Sequence, residues 1–220
     1  MLTFAPMQSP LLSLHSIFDA LDLDVVYIPL FEQSPTHADL ISANTPETVY
    51  NAIQEIGNTL NASQKANQLV ENLEERINII SHKLKFILEE NKPNVLFLND
   101  VSPAKTIYNE YLGNMVQVAG GRIQPGTRDN QVGNPDILII VNDKPIPQLL
   151  NELPNALSTP DWSQTAAISN GNVYIIRHSG FLRQPGATIA DDAEILAEII
   201  NPKYFVFGRD EDAWMKFEWQ

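Results

Sequence analysis

The 220-residue sequence contains no cysteine. This absence excludes disulfide bonds, thiolate catalysis, iron–sulfur clusters and cysteine-ligated zinc, because each of these needs a thiol. Reducing and oxidising compartments remain equally compatible with it. Histidine is also scarce, and the 4 histidines are far apart, with no H-x-H or H-x-x-x-H spacing. We therefore expect no metal site built from the protein's own side chains.

The sequence is also poor in positively charged residues. The chain has 14 lysines and arginines against 27 aspartates and glutamates, a net charge of −13. Because nucleic-acid binders usually present a basic patch, we expect no nucleic-acid partner. No apolar run approaches the roughly 20 residues of a membrane-spanning helix. Residues 1–16 have no basic n-region, so they do not read as a signal peptide, and a cytoplasmic location is expected if Met1 is the native start.

Catalytic motifs are absent as well. The sequence has no G-x-S-x-G, no H-E-x-x-H and no P-loop. The pair Gly120-Gly121 ends a predicted helix and does not open one, so it is not a dinucleotide fingerprint. We therefore expect no catalytic residues, no enzyme activity and no intrinsic cofactor.

Apolar periodicity and short β-branched runs define the secondary structure that is present. Helices are predicted at residues 10–21, 46–60, 63–91, 145–153, 162–167 and 187–200, and another begins at 102 or 106 and ends at Gly120-Gly121. Strands are predicted at residues 1–5, 24–28, 94–99, 135–141 and 171–176, with a loop over 29–44. Strands that alternate with helices indicate an α/β protein with a mostly parallel sheet.

The helix at residues 63–91 is unusually long, about 28 residues or roughly 42 Å. It begins after a cap at Asn61 or Ser63, and Thr45 with Pro46 opens the helix before it. A coiled coil, a helix packed along one domain and a strut between two bodies all fit the pattern. On the last interpretation, residues 1–62 form a partial N-terminal α/β lobe, 63–91 the strut, and 92–220 a C-terminal α/β lobe.

Six stretches together resemble one family. They are IQEIGNTLNASQKANQLVENL (53–73), KPNVLFL (92–98), TIYNEYLGNMVQVAGG (106–121), NPDILIIV (134–141), WSQTAAISNGNVYII (162–176) and RQPGATIADDAEILAEIINPKYF (183–205). Their order is similar to that of ABC-transporter substrate-binding proteins for cobalamin, haem and ferric siderophores, in which one long helix bridges two Rossmann-like α/β lobes. The last stretch looks most like the cobalamin-type branch.

The resemblance implies a binding protein that captures a cobalamin-like or iron-chelate ligand between its lobes and delivers it to a membrane permease. It implies a periplasmic or cell-envelope location. Family members begin with about two further strand–helix units, so the N-terminal lobe here is expected to be incomplete. Sheet edges left open in this way could be covered by a partner chain, including a second copy in a homodimer. The alternative is a soluble interaction or scaffold protein that kept the fold without transport.

Candidate ligand contacts follow the last predicted strand, where α/β sheets bind ligands. Phe181 would stack on a flat macrocycle, and Arg177 and Arg183 would bind its anionic edge. His178 could be an axial ligand to a metal in the bound molecule or a simple loop histidine. For Phe181 and the arginines the alternative is packing under the loop and surface charge.

Asn99 and Asp100 follow the first strand of the C-terminal region, and Asn142 and Asp143 follow the second. All four should face the same edge, but ordinary turn chemistry explains this pattern too and is favoured for Asn142 and Asp143. Arg128, in a long loop that lines the groove in the family, is a further candidate contact.

Two acidic segments are not assigned to ligand binding. Asp191, Asp192 and Glu194 are predicted to form a solvated first helical turn, where acids complement the helix dipole. The acidic tail at residues 208–220 either folds back over the sheet lobe or docks a partner.

Overall fold

The structure is a computed structural model that describes residues 12–32, 38–124, 132–178, 180–210 and 212–218, with the backbone alone at 38 and 39. The predicted strand at residues 1–5 and the candidate contact Arg128 lie outside these residues. The predicted α/β class is confirmed.

The described strands form one 6-stranded sheet with the order β2-β1-β4-β5-β6, and β3 pairs with the start of β1. The strands are β1 (Asn94–Val101), β2 (Ala104–Ile107), β3 (Arg122–Ile123), β4 (Ile137–Ile140), β5 (Val173–Ile176) and β6 (Trp214–Lys216). β1, β4 and β5 are parallel to one another, whereas β2 and β6 run antiparallel at the two sides. The tail therefore folds back onto the sheet as β6, one of its two expected fates.

Helices account for most of the remaining described chain. They are α1 (Leu14–Ala20), α2 (Ile28–Glu32), α3 (Ala38–Ile41), α4 (Pro46–Thr59), α5 (Ser63–Leu84), α6 (Glu110–Val118), α7 (Ile146–Leu157), α8 (Pro160–Ser163), α9 (Ala166–Ser169) and α10 (Ile189–Ile200). Short 3-10 helices occur at Val25–Tyr27 and Glu89–Asn91. Within the described ranges no helix is both long and apolar enough to cross a membrane.

The sheet is buried on both faces, as expected for parallel strands. Alternate residues of β1 point to opposite sides: Val95 and Phe97 belong to the core beneath α5, α6 and α10, and Leu96 and Leu98 to the core beneath α7, α8 and α9. The first of these cores also includes buried residues of the N-terminal helices, such as Phe18. This helix–sheet–helix sandwich fixes the carboxyl ends of the parallel strands at one edge.

The predicted long helix is shorter than expected. α5 has 22 residues and ends at Leu84, and its N-cap is Ala62, not Asn61 or Ser63. A tight turn follows, in which the N–H of Ile87 donates to the carbonyl of Leu84. This turn brings Ile87 back onto the core, so the apolar pattern continues to residue 87 although the helix does not.

α5 joins the N-terminal helices to the sheet. Arg76 contacts Asp191 and Glu194 near the start of α10, and Lys83 reaches the carbonyl of Tyr204 beyond its end. The two helices therefore run in the same direction. Residues 63–75 project past the start of α10 by roughly 18 Å at about 1.5 Å per residue. The N-terminal helices consequently lie beyond the carboxyl edge of the sheet.

The N-terminal region differs from its prediction. Residues 24–28 form a 3-10 helix and the start of α2 instead of a strand, and the predicted loop at 29–44 contains α2 and α3. Across residues 12–32 and 38–62 the structure contains helices and turns but no strand. A strand needs a hydrogen-bonded neighbour, and the described chain places none beside Val25–Tyr27. The division into lobes at 62 and 92 stays a prediction.

The boundaries of α4 and α6 are partly as predicted. Thr45 caps α4 in a capping box with Thr48, and Gly120, at φ +77°, ends α6 as expected. However, α6 begins at Glu110 rather than at 102 or 106, because Ala104–Ile107 pairs with β1 as a hairpin. The side chain of Asn109 caps α6 by accepting the N–H of Leu112 at 2.8 Å.

Candidate ligand-binding site

The carboxyl ends of β1, β4 and β5 bring polar residues to one edge. Asn99 and Asp100, predicted to follow the first strand, lie within β1 near its end, because β1 continues to Val101. The amide of Asn142, after β4, donates a hydrogen bond to the carbonyl of Asn99 in β1. Its Oδ1 accepts the N–H of Lys144 at 2.6 Å, which is turn chemistry of the predicted kind. The two predicted Asn–Asp pairs are therefore neighbours, and turn formation accounts for Asn142.

Lys144 is a central residue of this edge that the sequence did not single out. Its Nζ lies 2.8 Å from Oδ1 of Asp100 and 2.8 Å from Oε2 of Glu152. The hydrogen bond from Lys144 lowers the pKa of the Asp100 carboxyl. The same contact with Asp100, followed by that with Glu152, raises the pKa of Lys144. Asp100 therefore carries a negative charge that Lys144 already balances.

Arg183 connects the loop after β5 to the turn after β4. Its guanidinium nitrogen lies 2.7 Å from Oδ1 of Asp143, whose side chain is 75% exposed. Its Nε is buried and makes no hydrogen bond among the described residues. Because Asp143 is so exposed, an anionic ligand group could replace it on Arg183 at little desolvation cost. Asp143 thus has a role beyond the turn chemistry expected for it.

The loop after β5 carries two ring side chains in contact. The ring centroids of His178 and Phe181 are 5.3 Å apart at an interplanar angle of 49°. The guanidinium carbon of Arg209 lies 5.3 Å from the Phe181 centroid, a cation–π contact from the chain segment that precedes β6. His178 and Arg177 are exposed, and Phe181 is half-buried against the core. Arg209 was not anticipated, because it is 28 residues downstream of Phe181.

One hydrogen bond sets the state of the His178 ring. Its Nδ1 accepts the N–H of Gly180 at 3.0 Å. A neutral imidazole with its lone pair on Nδ1 carries its proton on Nε2. Ligation of a metal by Nε2 needs the opposite tautomer, which would break this bond. In this conformation Nε2 of His178 can donate a hydrogen bond. The role of axial ligand, one of the two alternatives for His178, stays a prediction.

A buried carboxylate anchors the same loop. Leu182 is buried with φ +56°, and its N–H donates to Oδ1 of Asp192 at 2.9 Å. The hydroxyl of Tyr111 donates to the other oxygen of Asp192. Burial raises the pKa of Asp192 to about 7, although both hydrogen bonds oppose the shift. Asp192 therefore holds the backbone next to Phe181 in place.

The prediction of a solvated acidic turn at the start of α10 is wrong. Asp192 and Glu194 are buried, and Asp191 is partly covered. Glu194 accepts two hydrogen bonds of 2.7 Å from Arg76, and Asp191 binds both Arg76 and Arg209. Each partner comes from a distant element, so the acidic run alone could not reveal it.

The N-terminal helices reach the same edge through α1. The N–H of Ser13 donates to the carbonyl of Pro185 at 2.6 Å, and the N–H of Ala187 donates to Oγ of Ser16 at 3.1 Å. A Cβ on Gly186 would lie 2.3 Å from that hydroxyl. Only glycine permits this close approach, so α1 packs directly on the segment between the β5 loop and α10.

A cavity of about 530 Å³ adjoins the edge on the side of α7 and α8. Val101, Ala156 and Trp162 form apolar parts of its wall, and Asn151 and Asn155 polar parts. This volume lies within the range that small-molecule ligands occupy. Across the described ranges, no group of three or more metal-ligating side chains occurs.

No family model and no curated protein sequence matches the chain. Its structure is similar to that of an ABC transporter substrate-binding protein from Listeria monocytogenes EGD-e, at 17% identity and a TM-score of 0.64, covering 89% of this chain and 100% of that one. It is also similar to Staphylococcus aureus IsdE complexed with haem, at 19% identity and a TM-score of 0.58, covering 72% of this chain and 66% of that one.

The periplasmic haem-binding protein BhuT, in complex with two haems, is similar at 18% identity and a TM-score of 0.59, with 73% of this chain and 64% of that chain covered. The chain thus spans about two thirds of the length of these two haem-bound proteins. At such identities the likeness shows the fold alone: the chain shares the fold of ABC-transporter substrate-binding proteins, as the resemblance predicts.

Proposed function

We propose that the protein is the substrate-binding component of an ABC importer and captures an anionic iron chelate, either haem or a ferric siderophore. One observation carries the proposal. The loop after β5, at the carboxyl edge of a parallel sheet, carries His178 and Phe181 in ring contact and Arg183 paired with the exposed Asp143. Ligands of α/β proteins bind at this edge, and solved proteins of the same fold bind haem.

The chemistry of the loop suits a flat or aromatic anion. The half-buried ring of Phe181 offers a stacking surface, and the cationic guanidinium of Arg209 lies 5.3 Å from its centroid. Arg183 offers a planar donor that could exchange the exposed carboxylate of Asp143 for a carboxylate or catecholate of the ligand. Arg177, next to His178, adds positive charge at the rim. Capture in this way is non-covalent and makes or breaks no bond.

The proposal includes delivery to a membrane permease and a cell-envelope location, both supported by the class of proteins that share the fold. Cobalamin, which the sequence resemblance also suggested, is kept as a comparison ligand. The named ligand in the similar structures is haem.

A second candidate is a protein that keeps the fold without transport. The paired charges favour it: Lys144 is held by two carboxylates and Arg183 by a third. An edge whose cations are already neutralised attracts an anion less strongly than one with unpaired cations. Ligand titration separates the two candidates, because only the first requires high affinity.

The test is titration of the protein with haemin, a ferric catecholate siderophore and cyanocobalamin, followed by absorbance and calorimetry. We expect binding of haemin or the ferric siderophore with micromolar or tighter affinity, and weaker binding of cyanocobalamin. Arg183→Ala should weaken binding, whereas Arg122→Ala, an exposed arginine at the opposite edge of the sheet, should not. Absence of binding to all three ligands would overturn the proposal and favour the second candidate.

A further inference from the structure

An exposed apolar and basic surface lies where α5 and α10 end, and we call it the basal patch. Its apolar members are Phe86, Leu88, Tyr204, Val206 and Phe207, and its basic members are Lys83, Lys85 and Lys203. Phe86 is 81% exposed and Val206 is 89% exposed, far more than side chains of this kind usually are. Exposed apolar groups that cluster in this way mark an interaction surface.

Direct contacts join the two chain segments of the basal patch. Nζ of Lys83 donates to the carbonyl of Tyr204 at 3.3 Å and lies 5.1 Å from the ring centroid of Phe205. Phe205 stacks on Phe207, with centroids 5.6 Å apart. The last turn of α5 and the turn after α10 are therefore in direct contact.

The basal patch is separate from the candidate ligand site. α5 and α10 run antiparallel to β1, β4 and β5, so their C-terminal ends lie at the edge where those strands begin. The ligand site lies at the edge where the strands end. The inference below therefore does not depend on the proposed function.

We propose that the basal patch binds the surface of a membrane that contains anionic lipids. Charge complementarity supports this occupant: three lysines cluster here in a chain of net charge −13. Two exposed glutamates follow Leu88: Glu89 is paired with Lys92, with its oxygen 2.6 Å from Nζ, and Glu90 offsets one of the three lysines. Aromatic and aliphatic side chains between lysines are the composition of surfaces that lie in the membrane interface.

A second copy of the chain fits the basal patch less well. In a two-fold contact the same surface meets itself, so the lysines of both copies would be brought into one interface. The patch also offers eight side chains, whereas a stable interface takes about 20–30 residues from each partner. A membrane with anionic lipids supplies the opposite charge to the lysines, and binding to it does not require a patch of about 20–30 residues.

The orientation that follows is suited to capture. With the basal patch on the lipid, the carboxyl edge of the sheet faces away from the bilayer and into the surrounding solution. A bound chain would remain near a membrane while its ligand site stays open.

The test is co-sedimentation of the full chain with vesicles of phosphatidylcholine alone and of phosphatidylcholine mixed with phosphatidylglycerol. We expect binding to the mixed vesicles alone, and we expect added salt to weaken it. The double variants Phe86→Ser/Val206→Ser and Lys85→Gln/Lys203→Gln should each bind at least tenfold more weakly. Val25→Ser/Val26→Ser is the control, since these two valines are also apolar and exposed, at 56% and 64%, but follow Asp24 instead of lysines.

Three outcomes would overturn the inference. The first is equal binding to both kinds of vesicle. The second is a loss of vesicle binding in Val25→Ser/Val26→Ser as large as that in the variants of the basal patch. The third is self-association in analytical ultracentrifugation that Phe86→Ser/Val206→Ser abolishes, which would assign the surface to a second copy. Circular dichroism of each variant separates a lost surface from a lost fold.

Discussion

The hydroxyl of Tyr111 donates a hydrogen bond to the carboxylate of Asp192, and both side chains are inaccessible to solvent. The pair joins α6 to α10 across the first core. Because Asp192 also accepts the N–H of Leu182, this buried pair supports the loop that carries Phe181. The ligand site therefore rests on a carboxyl group whose charge depends on pH.

Asp192 should make the stability of the protein depend on pH. Burial raises its pKa from 3.8 to about 7, so between those values the folded state holds a proton that the unfolded state releases. Its contribution to the free energy of unfolding is full below about pH 4 and is lost as the pH rises through about 7, with a slope of at most about 1.4 kcal/mol per pH unit. Asp192→Asn removes this titration.

Urea unfolding of the wild type and Asp192→Asn at several pH values checks this prediction. The variant should gain stability relative to the wild type as the pH rises towards about 7, and the difference should then level off. Tyr111→Phe is the companion variant. It removes a hydrogen bond that lowers the pKa of Asp192, so the wild-type trend should extend to higher pH. A difference between wild type and Asp192→Asn that does not vary with pH would contradict the assignment.

The acids of α10 show what local sequence can and cannot predict. The apolar period and the acidic first turn correctly predict a helix near residues 187–200. They do not show that Glu194 contacts Arg76, which is 118 residues away in sequence. Nor do they show that Tyr111 binds Asp192. Burial of these carboxylates is a property of tertiary packing, which a single-sequence pattern does not contain.

The strands show the same limit. Buried runs such as Ile137–Ile140 and Val173–Ile176 are correctly predicted because each lies between two neighbours. Residues 24–28 are equally β-branched and aromatic, but the described chain pairs them with nothing. The side chain of Asp24 instead accepts the N–H of Val26 and caps a 3-10 helix. Strand formation thus depends on a partner as much as on propensity.

The sequence predicts the edge of the sheet at which the candidate ligand site lies, but not all of its residues. Residues near or beyond the strand ends, such as Asn99 in β1 and His178 after β5, are identified because parallel strands end together. Lys144 and Arg209 were missed, since the first lies in a turn without a distinctive motif and the second comes from the segment before β6. Their roles depend on contacts with Asp100 and Phe181 that only the fold creates.

Phe181→Ala should weaken binding of haemin by about tenfold, because the ring supplies the stacking face and its contact with Arg209. Absorbance titration measures the change. Phe86→Ala is the matched control, since it removes an exposed aromatic ring at the opposite edge of the sheet. Equal affinities for the wild type and Phe181→Ala would mean that this ring packs under the loop and does not bind the ligand.

His178→Ala should change the affinity for haemin by only a few-fold and leave the Soret maximum and iron spin state unaltered. The reason is the hydrogen bond from Gly180 to Nδ1, which leaves the proton on Nε2. Absorbance and electron paramagnetic resonance of the haemin complex provide the measurement. A spectral change in the variant that added imidazole reverses would instead establish His178 as the axial ligand.

Arg76→Met should lower the free energy of unfolding by about 2 kcal/mol, because it leaves the largely buried carboxylate of Glu194 without its partner. Asp191 keeps Arg209, at 3.0 Å, so only one of the two acids is left alone. Lys65→Met is the control: its pair with Asp22 is exposed, and its loss should change stability by less than about 0.5 kcal/mol. Equal effects in urea unfolding would mean that the Arg76 network contributes no more than a surface pair.

Gly57→Ala should destabilise the protein by about 1–3 kcal/mol, because α4 and α5 approach each other closely at this position. A Cβ on Gly57 would lie 2.4 Å from the Cβ of Ala66, and neither methyl group can rotate away. Gly113→Ala in α6 is the matched control, since its Cβ would meet its nearest neighbour at 3.7 Å.

In Gly113→Ala, the higher helix propensity of alanine should leave the free energy of unfolding unchanged or raise it by up to about 1 kcal/mol. Thermal and urea unfolding of both variants measure the contrast. Because α4 holds the N-terminal helices on α5, we also expect Gly57→Ala to loosen that contact first, with amide exchange rising in α4 before the sheet. Unchanged exchange in α4 together with unchanged stability would show that the two helices can separate at Gly57 without cost.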